Sequence, residues 1–385
     1  MEFSRFANFL VASFMMAVFI AGFSFTLKAD NFYVLSQPAS VATVQISIIV
    51  EEPVPIAPVE ILPEKLASPP EIIKAAYVTG WSAGNKSYLN YLTDLFKTTE
   101  INAVVIDIKD YSGLISYPLA IPDINALVRF FHGQNIYVIG RIAVFEDPAF
   151  SQARPDLAIF DKVNGGLWLD NHKLSWLDPA SKKVWDYNIS IAKNVLLHGF
   201  DEVNFDYIRF PSDGKTQNMG FPFWDGKTER RVVLKNFFEY LRQNLPDAKL
   251  SADLFGQATV NSDDLSIGQI IEDALEYFDY VCPMVYPAHY AENFMGFSNP
   301  AEHPYEVVKY SMQTALAKKT ANKNSIAKLR PWLQDFNMGA TYTFEMVKSE
   351  ITATEDALKD EYNGYMLWSP SNIYTKEAIW KTLLK

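Results

Sequence analysis

Asn204 and Asp206 stand two residues apart in the stretch EVNFDYIRF, which spans residues 202–210. Side chains alternate between the two faces of a β-strand, so these polar groups share one face if the stretch is a strand. Arg209 follows closely, and Pro211 ends the pattern because proline cannot donate to a strand ladder. A face that carries a carboxylate, an amide and a nearby cation is either solvated or part of a site that binds a polar substrate.

Polar groups recur near the ends of other apolar runs. Asp107 and Lys109 share one side of residues 101–110, opposite three apolar side chains, so we expect both to point inward beside Arg141. One buried acid with a cation is more often a structural ion pair, but the recurrence favours a site, because a structural core would use Val, Ile or Leu. The candidate site residues are Asp107, Lys109, Arg141, Asn204, Asp206, Arg209, Asp253, Tyr286, His289, Trp332, Gln334, Asp335 and Trp368.

Aromatic rings beside carboxylates and amides are the combination that a sugar site needs. Ring faces stack on sugar rings, amides bind hydroxyl groups, and two acids can flank the bond to be cleaved. The chain is 14% aromatic, with Trp168, Trp176, Phe223 and Trp224 in two long segments between apolar runs. Such loop residues often only cover a core, but two aromatic loops on one rim favour a carbohydrate site.

Metal-dependent hydrolysis is the competing chemistry. The chain has five histidines and neither an H-x-H nor an H-E-x-x-H pair, so no metal site and no cofactor are predicted. His198 ends a helix-like segment and is expected to cap it. A carboxylate-only magnesium or calcium site stays open as an alternative. The sequence also lacks the G-x-S-x-G motif of esterases.

Eight apolar runs alternate with helix-like segments and must position these residues. The helix-like segments include residues 86–99, 184–199 and 229–245. This rhythm predicts an α/β fold, a (β/α)8 TIM barrel whose site lies at the C-terminal ends of the strands, with a doubly wound open sheet as the alternative. The predicted strands are 73–80, 101–110, 136–145, 202–210, 249–256, 280–287, 328–336 and 364–370.

The N-terminal region differs from the rest of the chain. Residues 6–27 carry no charge and are long enough to cross a bilayer as a helix, so residues 1–28 are predicted to be a membrane anchor or a signal segment. Six prolines between positions 53 and 70 indicate an extended linker over residues 29–71. The barrel is then expected to occupy residues 72–385.

Composition narrows the function classes. A formal net charge of -11 argues against nucleic-acid binding, which needs clustered Lys and Arg. Cys282 is the only cysteine, which excludes an intramolecular disulfide and indicates a small buried side chain. The sequence does not assign an oligomeric state.

Five stretches together resemble a bacterial family of glycosyl hydrolase domains of unknown function, which are TIM barrels distantly related to the α-amylase clan. The resemblance covers nearly all of residues 72–385, and it implies that Asp206 is the nucleophile, Asp253 the general acid and Asp335 a transition-state stabiliser. The sequence departs from the clan pattern at Asn204, where the clan has arginine, and at Asp253, where it has glutamate. The stretches are VVIDIKDYSGLI, GFDEVNFDYIRFPSDG, SADLFGQ, PMVYPAHY and RPWLQDF.

The resulting hypothesis is a glycosidase, anchored in the membrane through residues 6–27, that acts outside the cytoplasm on a cell-wall or surface polysaccharide. Cleavage of the N-terminal segment would make it a secreted enzyme instead. Two alternatives remain: a non-catalytic glycan-binding envelope protein on a degraded hydrolase barrel, and a metal-assisted hydrolase or deacetylase.

The anchor hypothesis predicts the N terminus of the mature protein. Because the apolar run is longer than that of a signal peptide and no convincing small-x-small cleavage site precedes Asp30, we expect N-terminal sequencing of protein from the membrane fraction to find an uncleaved terminus. A mature chain that begins near residue 30 would instead show a signal peptide.

Overall fold

Strands and helices alternate along the computed structural model, which describes residues 62–381. The strands are β1 (Ile73–Val78), β2 (Ala103–Lys109), β3 (Tyr137–Ala143), β4 (Phe160–Asp161), β5 (Glu202–Asp206), β6 (Met219–Gly220), β7 (Lys249–Phe255), β8 (Tyr280–Met284), β9 (Lys328–Leu329), β10 (Trp332–Gln334) and β11 (Gly364–Trp368). The helices are α1 (Gly80–Ala83), α2 (Lys86–Thr98), α3 (Ile124–His132), α4 (Pro148–Ala153), α5 (Lys182–Leu197), α6 (Arg230–Asn244), α7 (Ile271–Ala274), α8 (Pro304–Ala321) and α9 (Phe344–Leu358).

The main sheet is parallel and closes on itself. Adjacent strands follow the order β10, β11, β1, β2, β3, β5, β7, β8 and β9. The sheet closes because β8 also pairs with β10, through Met284 and Trp332. β9 and β10 together form one interrupted strand, so the barrel has eight strands. This arrangement confirms the predicted (β/α)8 fold. The short strands β4 and β6 form a separate antiparallel pair.

Alternation of side chains separates two apolar cores. Val104, Ile106 and Ile108 of β2 face outward and pack in one buried cluster with Leu95 of α2. Val105 points the other way, into a cluster that fills the barrel with Tyr77, Ile139, Trp332, Met366 and the free Cys282. Burial of each large apolar side chain contributes roughly 1.5–3 kcal/mol, so this division fixes which face of each strand is inside.

Lys109 is the exception, and its predicted inward orientation is wrong. The pairing of β2 with β3 shifts between Asp107 and Lys109, so that Lys109 is aligned with the outward-facing Ile142. An irregularity of one residue moves the following side chain to the opposite face. The Lys109 ammonium therefore lies outside the barrel, 2.7 Å from Asp147 and 2.9 Å from Asn188 of α5.

A buried ion pair lies at the other end of the barrel interior from the predicted site. Arg330, in the interruption between β9 and β10, contacts both carboxylate oxygens of Glu202. Both side chains are fully buried. Tyr137 also donates to Glu202, at 3.3 Å.

The segment that precedes β1 contacts the same end of the barrel. The Leu66 side chain packs against the interior cluster, and its backbone N–H donates to Asp201 at 2.7 Å. Part of the predicted linker, residues 62–71, therefore lies against the barrel. Residues 62–72 form no helix or strand, and β1 begins after a short bend.

The predicted anchor, residues 6–27, lies outside the described residues. Within residues 62–381, no helix combines the length and apolar character needed to span a bilayer.

Glu202→Gln should destabilise the protein strongly, because it leaves the buried Arg330 cation without a counter-charge. Breaking such a pair costs roughly 3–5 kcal/mol of unfolding free energy, which urea denaturation measures. Asp156→Ala, which breaks the exposed pair of Asp156 with Arg154, is the matched control and should leave the transition in place. Equal midpoints for the two variants would contradict a structural role for the buried pair.

Candidate active site

Arg141 of β3 lies at the centre of a cluster of aspartates inside the barrel. Its Nη1 donates to Asp107 Oδ1 at 2.6 Å and its Nη2 donates to Asp206 Oδ2 at 2.5 Å. Its Nε lies 3.7 Å from Asp253 Oδ2. Burial alone would lower the pKa of Arg141, but the carboxylates of Asp107 and Asp206 raise it well above its usual value. The guanidinium is therefore a permanent cation shared by three acids on β2, β5 and β7.

Asp206 is the last residue of β5 and is held from two sides. One oxygen accepts from Arg141, and the other accepts from the backbone N–H of Tyr207 at 2.5 Å. Tyr207 has a φ of 53°, a left-handed conformation that non-glycine residues rarely adopt. Such strain often accompanies functional sites, and here it ends the strand directly after the carboxylate.

Asp253 is fully buried beside Asp206. Its Oδ1 accepts from Asn204 Nδ2 and from Trp332 Nε1, both at 2.8 Å. Its Oδ2 has no hydrogen-bond partner. Burial and the nearby charge of Asp206 raise the pKa of Asp253 well above its usual value, and Arg141 offsets only part of that rise.

Asp107 completes the cluster. Tyr77 of β1 donates to its Oδ2 at 2.5 Å, while Arg141 holds its Oδ1. Burial raises the pKa of Asp107, and Arg141 and Tyr77 oppose that rise. The same burial, with the charge of Asp107, raises the pKa of the Tyr77 hydroxyl. Tyr77 therefore stays a hydrogen-bond donor that fixes Asp107 in place.

Aromatic rings surround the cluster and leave a cavity of about 170 Å³, here called the deep compartment. Trp368 stacks on Tyr77 at 3.9 Å between ring centroids, and Trp332 meets Trp368 edge-on at 5.9 Å. The lining residues are Arg141, Asp206, Tyr207, Asp253, Met284, Tyr286, His289, Trp332 and Trp368.

A second cavity of about 450 Å³, the outer compartment, adjoins the first. Four residues line both cavities: Asp206, Tyr207, Met284 and His289. Burial lowers the pKa of His289, so its imidazole is neutral at neutral pH. The other lining residues are Arg209, Phe255, Gly256, Gln257, Ala288, Tyr290 and Met338.

Arg141, rather than Arg209, donates to the Asp206 carboxylate. The Arg209 guanidinium lies over the rings of Trp176 and Phe255, at 4.7 and 4.8 Å from their centroids. Among charged groups, Glu146, just beyond β3, raises the pKa of Arg209 the most. Burial raises the pKa of Glu146 to about 8, which the charge of Arg209 opposes and neighbouring aspartates increase.

Two further expected site residues lie apart from the cavities. Both oxygens of Asp335 accept from Thr375, from its backbone N–H at 2.8 Å and its hydroxyl at 2.7 Å. Gln334 accepts from the backbone of Ala288 at 3.2 Å and donates to the carbonyl of Phe336 at 2.9 Å. Both side chains thus connect loops at the end of β10.

Sequence reasoning missed three residues around the cluster. Tyr77 shares the inward face of β1 with Ala75, so period-two alternation could have indicated it. Tyr207 and Glu146 lie beyond the regular parts of their strands, where alternation no longer predicts direction. No pattern in the sequence marked either of them.

The two aromatic loops are joined to each other. Asp178 accepts from the backbone N–H groups of Phe223 at 2.7 Å and Trp224 at 3.0 Å. Trp168 and Trp176 are almost fully buried, so they support the loops and do not offer free stacking faces. Trp176 contributes to the site indirectly, as the ring under Arg209.

His198 caps α5 as predicted, and its ring contacts Asn125 at 2.7 Å. Within the described part of the chain, no group of three or more His, Cys, Asp or Glu side chains could hold a metal ion.

Solved structures of glycoside hydrolases share this fold. The glycoside hydrolase domain of PgaB (BpsB) from Bordetella bronchiseptica is 14% identical, with a TM-score of 0.57 over 81% of this chain and 99% of that chain. The α-galactosidase TtGalA from Thermus thermophilus, in complex with p-nitrophenyl α-D-galactopyranoside, is 13% identical, with a TM-score of 0.51 over 82% of this chain and 61% of that chain. At such identities the likeness concerns the fold alone.

The crystal structure of a hypothetical protein from Ruminiclostridium thermocellum ATCC 27405 is 40% identical over 50% of this chain and 98% of that chain, with a TM-score of 0.42. No curated protein matches the chain. Residues 75–374 match the family described as "Putative glycosyl hydrolase domain". Because this match spans the whole barrel apart from its first and last few residues, the chain belongs to that family of glycosyl hydrolase domains.

Proposed function

We propose that the chain hydrolyses a glycosidic bond in a polysaccharide or oligosaccharide, with Asp206 and Asp253 as the reacting carboxyl groups. The observation that carries the proposal is the contrast between these two neighbours. Arg141 and a backbone N–H donate to Asp206, whereas burial raises the pKa of Asp253 well above its usual value. Carboxyl groups in opposite protonation states are what glycoside hydrolysis requires.

Asp206 is the carboxylate that meets the anomeric carbon. It lines both compartments, so a glycan that runs from one to the other passes directly over it. Its negative charge would stabilise the positive charge that develops on the sugar ring, either as a nucleophile or through electrostatics. Arg141 keeps this carboxylate in place without blocking its exposed edge.

Asp253 is the proton donor. Its Oδ1 already accepts two hydrogen bonds, so a proton on this carboxyl belongs on Oδ2, which has no partner among the described residues. That proton can pass to the oxygen of the leaving sugar as the glycosidic bond breaks. A water molecule then supplies hydroxide to the anomeric carbon and returns a proton to the site.

The aromatic walls would hold the sugar. The deep compartment, at about 170 Å³, is smaller than the ~300–1,000 Å³ typical of ligand pockets, so we expect it to take a single ring. The partly exposed Trp368 can offer a ring face to the sugar, and the buried Trp332 and Tyr286 close the wall of the compartment. The neutral imidazole of His289 can hydrogen-bond a sugar hydroxyl at the boundary with the outer compartment.

Asp107, Arg141 and Asn204 are positioning residues in this proposal, since they hold the two reacting aspartates. Asp335 and Gln334 have no part in it, because loop contacts occupy their side chains. The membrane attachment and the extracytoplasmic location inferred for residues 6–27 remain part of the proposal and depend on the N-terminal sequencing described above.

Asp206→Asn should reduce the release of reducing ends from a susceptible polysaccharide by at least a hundredfold, with the fold intact by circular dichroism. Asp253→Asn should be equally slow on the polysaccharide but partly recover on aryl glycosides, whose good leaving groups need no proton.

A panel of bacterial and plant polysaccharides supplies the substrates for this assay. If no polymer is cleaved and one glycan is retained equally by wild type, Asp206→Asn and Asp253→Asn, the barrel is a binding module and its acids are structural. Full activity of Asp206→Asn would contradict the proposal directly.

Glu146 supplies a test of electrostatics next to the site. In the folded chain it keeps its proton to about pH 8, whereas an ordinary glutamate ionises near pH 4.5. Between these values the folded state binds more protons than the unfolded state, so the free energy of unfolding should fall with rising pH, by up to about 1.4 kcal/mol per pH unit, and level off above about pH 8.

Glu146→Gln should remove this component, as measured by urea unfolding between about pH 5 and about pH 9. The exposed Glu345→Gln is the control and should follow wild type. Identical pH slopes for wild type and Glu146→Gln would show that Glu146 is ionised in the folded chain.

A further inference from the structure

We propose that the outer compartment binds an anionic group of the glycan, a carboxylate or a phosphate, through the guanidinium of Arg209. This inference rests on the proposed function for the direction of the glycan, and it names the class of sugar polymer that the site takes.

Arg209 lines the outer compartment, and most of its N–H donors make no hydrogen bond with the described residues. Only Nη1 makes hydrogen bonds, to the carbonyl of Phe210 at 3.3 Å and to the hydroxyl of Ser212 at 3.2 Å. Its Nε and Nη2 have no acceptor among residues 62–381. A guanidinium has five N–H donors in a planar fork, so a face suited to a bidentate acceptor is left open.

The Arg209 guanidinium has no carboxylate partner at close range among the described residues. No carboxylate oxygen of the described residues lies within 4.0 Å of a nitrogen of Arg209. Asp206 is nearby but is held by Arg141. Glu146 is nearby as well, but its raised pKa leaves it mostly neutral at neutral pH. Asp213 adds a weaker attraction.

Aromatic rings hold the Arg209 side chain in place. The rings of Trp176, Phe255 and Tyr207 lie 4.7, 4.8 and 5.6 Å from the guanidinium carbon and hold the side chain toward the cavity. Burial lowers the pKa of Arg209, which shows that the cation is poorly solvated. An anion with two acceptor oxygens restores the lost interactions better than a sugar hydroxyl does.

Arg230 provides a matched control. It also lies over two aromatic rings, Phe210 at 5.2 Å and Trp224 at 5.1 Å, and burial likewise lowers its pKa. It lines neither compartment. Arg230→Gln therefore removes an arginine from a similar setting without touching the site.

The experiment measures binding in the full chain with the Asp253→Asn substitution, which prevents turnover and keeps the charge of a protonated Asp253. The probes are polygalacturonate, alginate and hyaluronate, each beside its carboxyl-reduced form, and phosphomannan beside its dephosphorylated form. We expect at least one charged polymer to bind tenfold or more tightly than its neutral counterpart, with affinity that falls as salt is added. Arg209→Gln should bring that ratio close to one, Arg209→Lys should keep part of it, and Arg230→Gln should keep it all.

A preference among the carboxylate polymers identifies a uronic acid, and a preference for phosphomannan identifies a phosphate; either supports the inference. Equal binding of every charged and neutral pair, or a preference that Arg209→Gln leaves unchanged, overturns it. If wild type cleaves only neutral polymers and Arg209→Gln does not change that cleavage, this inference is wrong and the proposed hydrolysis stands. If charged polymers bind selectively through Arg209 but wild type cleaves none of them, the inference stands and the proposed hydrolysis is wrong.

Discussion

One buried cation, Arg141, determines the organisation of the site. A guanidinium inside a barrel is costly unless it is paired and hydrogen-bonded, and here the partners come from β2, β5 and β7. The strand register that brings Asp107 and Asn204 level with Arg141 is therefore also the register that sets Asp206 against it. The register in which the strands pair therefore also fixes where the acids lie.

That constraint also produces the chemical difference between the acids. Arg141 donates directly to Asp206 but only approaches Asp253, at 3.7 Å. Burial and the neighbouring Asp206 carboxylate both raise the pKa of Asp253, which has no direct contact with the cation. The aromatic walls strengthen the effect, since they exclude water and lower the local dielectric constant. Arg209 lies outside this network and forms no ion pair within residues 62–381.

Reasoning from the sequence succeeded where the backbone is regular. The eight strands and the inward direction of Arg141, Asn204, Asp206 and Asp253 follow from apolar runs and period-two alternation. It failed where regularity ends: one irregularity in β2 turns Lys109 out of the barrel, and the end of β10 directs Asp335 to Thr375. Alternation carries no information past such points.

Hydrophobic periodicity and residue type are local properties, and they were enough to predict the fold class, the family and the inward direction of Asp107, Asp206 and Asp253. The closed barrel was needed to show which acids share a cation, that burial raises the pKa of Asp253, and that Arg209 forms no ion pair within residues 62–381. Those outcomes depend on distances between residues far apart in the chain, such as Arg141 and Asp253, and on the burial that the closed barrel creates.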